Sequence, residues 1–248
     1  LAVVAVLFLA QHFQLAASSL YNANDSDGIL SVWTPDPVPA PHPGYQMWDM
    51  YAYWDTFAIN PYQMAVSSLP DSLMLHILHM DCGFSMPIAG ALTSGFGYRW
   101  GRQHKGIDLD LNTGDTVVSM FDGVVRVSGY HSGYGNVVLV RHHNGLETVY
   151  GHLSRRYVKP GDMIYAGQAV GLGGSTGRST GPHLHFETRF MGLAFDPQRI
   201  INIDSGELYD EYLTITPELF EMPAPPPSAY KTRKPASYYR RSQYRHKH

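Results

Sequence analysis

The sequence predicts an all-β domain, an antiparallel β-sandwich or open barrel, on three observations. From Met86 onward short β-branched runs alternate with glycines: KGIDLDL, TVVSM, GVVRVSGY, NVVLVRHH, ETVYGHL, AVGLGG and HLHFETRF. Several short strands in succession, with turn residues between them, are the pattern of a sandwich or barrel. Gly 24, Pro 17 and Tyr 17, against 16% charged residues, favour turns and extended segments over long helices. Tight joints such as Phe121-Asp122-Gly123 and His143-Asn144-Gly145 predict hairpins with antiparallel pairing. The strand pattern fades near Ile203.

Taken in chain order, Leu1 to Ala10 are uniformly apolar and the small residues Ala16-Ala17-Ser18-Ser19 follow. A secretory signal over residues 1–19 fits best, because the run falls short of the roughly 20 residues of a membrane span. A retained anchor within residues 1–16 is the alternative. Either way the main domain is expected in the periplasm or cell envelope, with membrane contact only through an uncleaved N-terminus. Residues 20–44 read as a Pro-rich linker ending in SVWTPDPVPAPHPG. Residues 45–85 read as a helical preamble or pro-segment: an aromatic cluster, YQMWDMYAYWDTF, then a short helix beginning near Ser72 and carrying LMLHILHM. Residues 86–203 form the strand-rich domain. Residues 204–248 are a C-terminal extension, weakly patterned at first and Pro-rich and basic from Pro223.

The net charge of -3 hides an asymmetry, since seven of the 18 Lys and Arg residues follow Met222, where no Asp or Glu occurs. Cys82 is the single cysteine, which excludes an internal disulfide and a cysteine-built zinc site. A metal here needs His and carboxylate ligands.

Thirteen histidines are many for this length, and four sit in short words of the strand region: His104 in QHKGIDLD, His152 in YGHLS, His183 and His185 in GPHLHFE. Strand alternation projects His183, His185 and Glu187 to one side, and likewise His104 and Asp108. Residues four apart in an extended strand are about 13 Å apart, so the chain must bend for His104 and Asp108 to share an ion. Gly106 lies between them and permits a bulge or a close backbone approach. Two histidines and a carboxylate would leave a tetrahedral zinc one open position, the arrangement of a catalytic site. The chain lacks a His-Glu-x-x-His word, so its surplus histidines must handle protons. Spacing does not decide which of His183 and His185 binds metal.

The words SGFGYR, HKGIDLD, YGHLS, VKPGDMIYAGQAVGLGGSTGRSTGPHLHFE and FDP resemble, in order and spacing, the lysostaphin-type zinc endopeptidases of bacterial cell walls. The resemblance spans roughly Met86 to Ile203. It implies the duplicated-hybrid-motif fold and one Zn2+ per domain. His104, Asp108 and His185 would be the metal ligands, with His152 and His183 as catalytic residues. The implied reaction is hydrolysis of peptide cross-links in peptidoglycan. A non-catalytic peptidoglycan-binding module, or an activator of another wall hydrolase, is the rival, and the full set of motif residues argues against it. With export, the basic tail meets anionic envelope polymers rather than nucleic acid.

Other residues divide less sharply. Asp110 is expected to be a plain surface residue, while Glu187 either orients a histidine or forms an ion pair at a strand edge. His76 and His79 lack a third ligand and read as structural. His142 and His143 read as a strand edge. The run GGSTGRSTGP reads as a hairpin or substrate-lining loop. Trp54, Asn60 and Tyr62 are expected to pack on the domain, with the alternative that Asn60 reaches the open zinc position.

Overall fold

The computed structural model describes residues 54–62, 64–78, 83–99 and 101–223. The expected signal (1–19), linker (20–44), His79, Cys82 and the tail beyond residue 223 lie outside them. Among the described residues regular structure is strand. Helix is limited to single 3-10 turns at Val66–Ser68, Pro197–Arg199 and Pro217–Phe220. No described helix is long and apolar enough to cross a membrane.

The centre is an antiparallel sheet of eight strands: β1 (Leu92–Ser94), β2 (Ile107–Asp110), β3 (Gly123–His131), β4 (Gly135–His142), β5 (Leu146–Leu153), β6 (Met163–Ile164), β7 (His183–Phe190) and β8 (Leu193–Phe195). Their order is β6-β3-β4-β5-β7-β2-β1, with β8 also paired to β7. A three-stranded sheet of Arg155–Arg156, Ala169–Leu172 and Thr116–Val118 accompanies it. Strands β4 and β5 are buried along almost their whole length, which suits the Val and Leu runs that compose them.

The two faces of the large sheet differ in chemistry. Phe186 packs against Tyr150 on one face, and both are fully buried. On the other, Val127, Val137, Leu139 and Val149 form an apolar cluster capped by Ile59 of the preamble. Along β7 this second face carries His185, Glu187 and Arg189, all buried polar groups. Tertiary cover, supplied by the preamble and Tyr134, makes such a stripe tolerable.

Three expectations give way. The helix expected from Ser72 is a strand, Leu73–His76, paired with Tyr212–Ile215. A Leu-Met-Leu-His run alternates as readily as it coils. Here Leu75 turns inward and Met74 outward, and a partner 140 residues away in sequence supplies the hydrogen bonds. The weakly patterned region after Ile203 therefore contributes to the fold. Phe121-Asp122-Gly123 is no hairpin: Thr116–Val118 pairs with Ala169–Leu172, while β3 pairs with β4 and β6, so this joint crosses between sheets. His143-Asn144-Gly145 does close the β4–β5 hairpin, with Gly145 at φ 90 and its N–H donating to the His142 carbonyl. His142 is itself an interior residue, 2% exposed, and not a strand edge.

Candidate metal centre

Register brings the site together. On β7, His185 pairs with Asp108 of β2 on one side and Gly151 of β5 on the other. His104 ends the strand Arg102–His104, which pairs with Gly97–Arg99. The turn through Gly106 then folds the chain back so that His104 and Asp108 face one point. A side chain at 106 would strike the Phe186 carbonyl and the Glu187 side chain, so the close approach foreseen for this glycine is what joins β2 to β7. Gly106→Ala is expected to destabilise the domain by about 3 kcal/mol through this overpacking. Chemical denaturation of the variant would measure it, and an unchanged midpoint would contradict the close approach.

The donor atoms form a tight triangle. His104 Nε2 lies 3.0 Å from Asp108 Oδ1 and 3.0 Å from His185 Nδ1, and His185 Nδ1 is 3.0 Å from Asp108 Oδ1. All three residues are buried. The proton positions follow from the opposite ring nitrogens. His104 Nδ1 is 2.7 Å from the Gly95 carbonyl, which can only accept, so Nδ1 carries the hydrogen and Nε2 is bare. His185 Nε2 donates to Glu187 Oε1 at 2.9 Å, which leaves Nδ1 as the ring atom that faces Asp108 and His104. Arg99 occupies Asp108 Oδ2 at 2.8 Å and turns Oδ1 inward. Three potential ligand atoms thus converge on one point, and a cation placed between them would take the place of any proton they share.

The electrostatics agree. Burial opposes the charge of Asp108, yet its bonds to His104 and His185 hold the carboxyl far below the usual carboxylate range. Burial likewise opposes Glu187, but the Arg189 guanidinium and His185 bring it down to about 2. Burial pulls His185 down, and Asp108 and Glu187 outweigh it and lift the ring to about 9. With no ion bound, the pocket draws in a proton where positive charge is wanted. The donor set fits a divalent cation of the kind that takes imidazole and carboxylate ligands.

His152 and His183 complete the cluster. Their ring centroids are 4.7 Å apart, and His152 lies 5.7 Å from His185. His183 Nε2 is 3.7 Å from Asp108 Oδ1. His152 donates from Nδ1 to the Thr176 carbonyl at 2.7 Å, and His183 from Nδ1 to the Gly181 carbonyl at 2.9 Å. Both acceptors belong to the GGSTGRSTGP loop, so that loop fixes the tautomer of both rings and leaves each Nε2 bare. Burial pulls His152 down to about 4, so it is neutral at neutral pH. Its backbone is left-handed, φ 61, a costly conformation for a non-glycine that occurs where a side chain must be re-aimed.

Asp110 is exposed and outside the cluster. Glu187 orients His185. His76 stacks on Tyr212 at 4.5 Å, away from the site. Asn60 is exposed, lies against Gly192 and accepts from the Tyr62 N–H, so it is not at the metal position. Sequence reasoning missed Arg99, Tyr134 and Arg189. Arg99 sat inside the quoted word SGFGYR and was the one within reach; Tyr134 and Arg189 are defined only by long-range contacts.

Comparison with known proteins gives this geometry a family. The profile of peptidase family M23 matches residues 102–197. The chain is 45% identical over 113 residues to the DD-carboxypeptidase/endopeptidase Mpg of Neisseria meningitidis serogroup B, covering 43% of this chain and 26% of that protein. It is 41% identical over 99 residues to the peptidoglycan DD-endopeptidase ShyC of Vibrio cholerae, covering 40% and 23%. The chain therefore spans about a quarter of the length of these relatives. The structure of lysostaphin from Staphylococcus simulans aligns at 36% identity and a TM-score of 0.41, covering 44% of this chain and 48% of that one. The strand-rich core that carries the His104, Asp108 and His185 triangle is a domain of peptidase family M23.

Proposed function

We propose that the chain is a zinc-dependent endopeptidase that hydrolyses peptide cross-links of peptidoglycan, with His104, Asp108 and His185 holding one zinc ion. The observation that carries this reading is the convergence of three potential ligand atoms, from His104, Asp108 and His185, beside two further histidines, His152 and His183, each tied by Nδ1 to a backbone carbonyl with Nε2 left open. The zinc would act as a Lewis acid on the scissile carbonyl and lower the pKa of a bound water. His152 and His183 have the roles that remain: the bare Nε2 of one accepts the proton of the attacking water and passes it to the leaving amine, while the other donates to the developing oxyanion once it has itself taken up a proton at Nε2. The substrate class is supported by the relatives, which are named as endopeptidases, one of them a peptidoglycan endopeptidase. Such a substrate lies outside the cytoplasmic membrane, so the envelope is the proposed location.

Mass analysis of the muropeptides released from purified peptidoglycan tests the reading. Cross-linked species are expected to disappear in favour of un-cross-linked ones, and a chelator is expected to stop this, with added zinc restoring it. Peptidoglycan that is bound but left intact would favour a non-catalytic module.

A further inference from the structure

The buried polar stripe on β7 does not end at Glu187. Arg189, 1% exposed, donates from Nε to Glu187 Oε2 at 2.6 Å and from Nη2 to the Tyr134 hydroxyl at 3.0 Å. Tyr134 in turn donates to Glu187 Oε1 at 2.9 Å, the same oxygen that receives the His185 N–H. From Nη1, Arg189 donates to the Ile59 carbonyl at 3.2 Å. That carbonyl also accepts from Arg126, which is fully buried and takes the Asp55 and Ala58 carbonyls as well, each at 2.8 Å. The preamble turn is held in shape by Asp55, whose Oδ1 accepts the N–H groups of Phe57 and Ala58.

We propose that Arg189 and the Asp55–Ile59 turn are positioning elements for His185, so that the preamble supports the metal site from outside rather than blocking it. The reasoning rests on the metal reading above and proceeds by satisfying buried groups. The outer hydrogen bond of a ligating histidine fixes its ring orientation and basicity, and here that partner is Glu187. Glu187 is fully buried, so its own position depends on the charge and fork geometry of Arg189. Arg189 has N–H groups left over after Glu187 and Tyr134, and in a buried place they need an acceptor. The Ile59 carbonyl is that acceptor. Its height above the sheet is set by the Asp55 turn and by Arg126, which anchors to Glu147 at 2.8 Å. A loosened turn lets Arg189, then Glu187, then the His185 ring drift.

The experiment compares three full-length variants. Asp55→Ala frees the turn without touching the sheet. Arg189→Gln removes the charge on Glu187. Asn144→Ala is the control: its Nδ2 ties the Ile77 carbonyl at 3.0 Å, another preamble tether, and its side chain makes no hydrogen bond to Arg189, Glu187 or Arg126. Each is titrated with zinc against a chromophoric chelator, and the cobalt-substituted forms are compared by visible absorption, alongside thermal melts of the metal-free proteins. Arg189→Gln is expected to weaken zinc binding by about 10–100-fold, as loss of outer partners does, and Asp55→Ala by several-fold. Both are expected to alter the cobalt spectrum. Asn144→Ala is expected to lower the melting temperature while leaving zinc affinity and the spectrum as in wild type. Should Arg189→Gln fail to fold, Asp55→Ala alone decides. The proposal is overturned if Asp55→Ala binds zinc like wild type with an unchanged spectrum, or if Asn144→Ala weakens zinc as much as Asp55→Ala does. Absence of zinc binding in the wild type would instead overturn the metal reading itself.

Discussion

His185→Ala is expected to abolish stoichiometric zinc binding, whereas His183→Ala keeps the metal and loses hydrolysis of peptidoglycan by about 10²–10⁴-fold, the usual contribution of a positioned acid or base. The two residues are neighbours in one His-x-His word, and their surroundings separate them. His185 is buried, with one ring nitrogen spoken for by Glu187 and the other 3.0 Å from both remaining donors. Its removal leaves Asp108 and Glu187 facing an emptied space with only His104 as a second metal ligand. His183 stands further out, its nearest approach to Asp108 being 3.7 Å, and is tethered to the Gly181 carbonyl. Zinc content after dialysis, measured per mole of protein, and muropeptide release read the two properties separately. One tightly held zinc in His185→Ala would sink the ligand assignment, and loss of zinc from His183→Ala would reverse it.

That distinction marks the limit of what the sequence could supply. The period of two along a strand put His183, His185 and Glu187 on one side, and the need to bend between His104 and Asp108 singled out Gly106. Both were local arguments, and the geometry bears them out. The identity of the inner histidine depends on register: β7 pairs with β2 so that His185, and not His183, falls opposite Asp108. Nothing in GPHLHFE encodes that offset. The same holds for the strand at Leu73–His76, whose pairing with Tyr212–Ile215 no local pattern announces. Arg126 and Arg189 are the extreme case. On composition they are ordinary surface charges, and only the preamble's carbonyls and two buried glutamates make an interior position tolerable for them.

His142 shows how a misread histidine carries a large and testable effect. It is fully enclosed, with Nδ1 3.1 Å from the Asp122 carbonyl and Nε2 2.8 Å from the Thr148 hydroxyl, which is itself hydrogen-bonded to Tyr150. The carbonyl can only accept, so Nδ1 carries the hydrogen, while Thr148 gives its single hydrogen to the Tyr150 hydroxyl and sets its oxygen against Nε2. Protonation would place a charge in a site closed to water. Burial accordingly pulls His142 down to about 3 from an ordinary value of 6.5. Between those values the unfolded chain binds a proton that the folded chain refuses, so stability rises with pH across this window. Its contribution is complete above pH 6.5 and is lost as pH falls toward 3, amounting to about 5 kcal/mol at most. Replacing the ring with a group that does not titrate removes this dependence. His142→Asn keeps a donor for Asp122, and at pH 7.5 it is expected to be less stable than wild type through lost packing against Phe121. Between pH 6 and 4, however, its urea midpoint is expected to fall less steeply, the two curves approaching each other by up to about 1.4 kcal/mol per pH unit. Parallel curves would mean that the folded protein takes up the proton on His142 as readily as the unfolded chain, and that its enclosure does not exclude the charge.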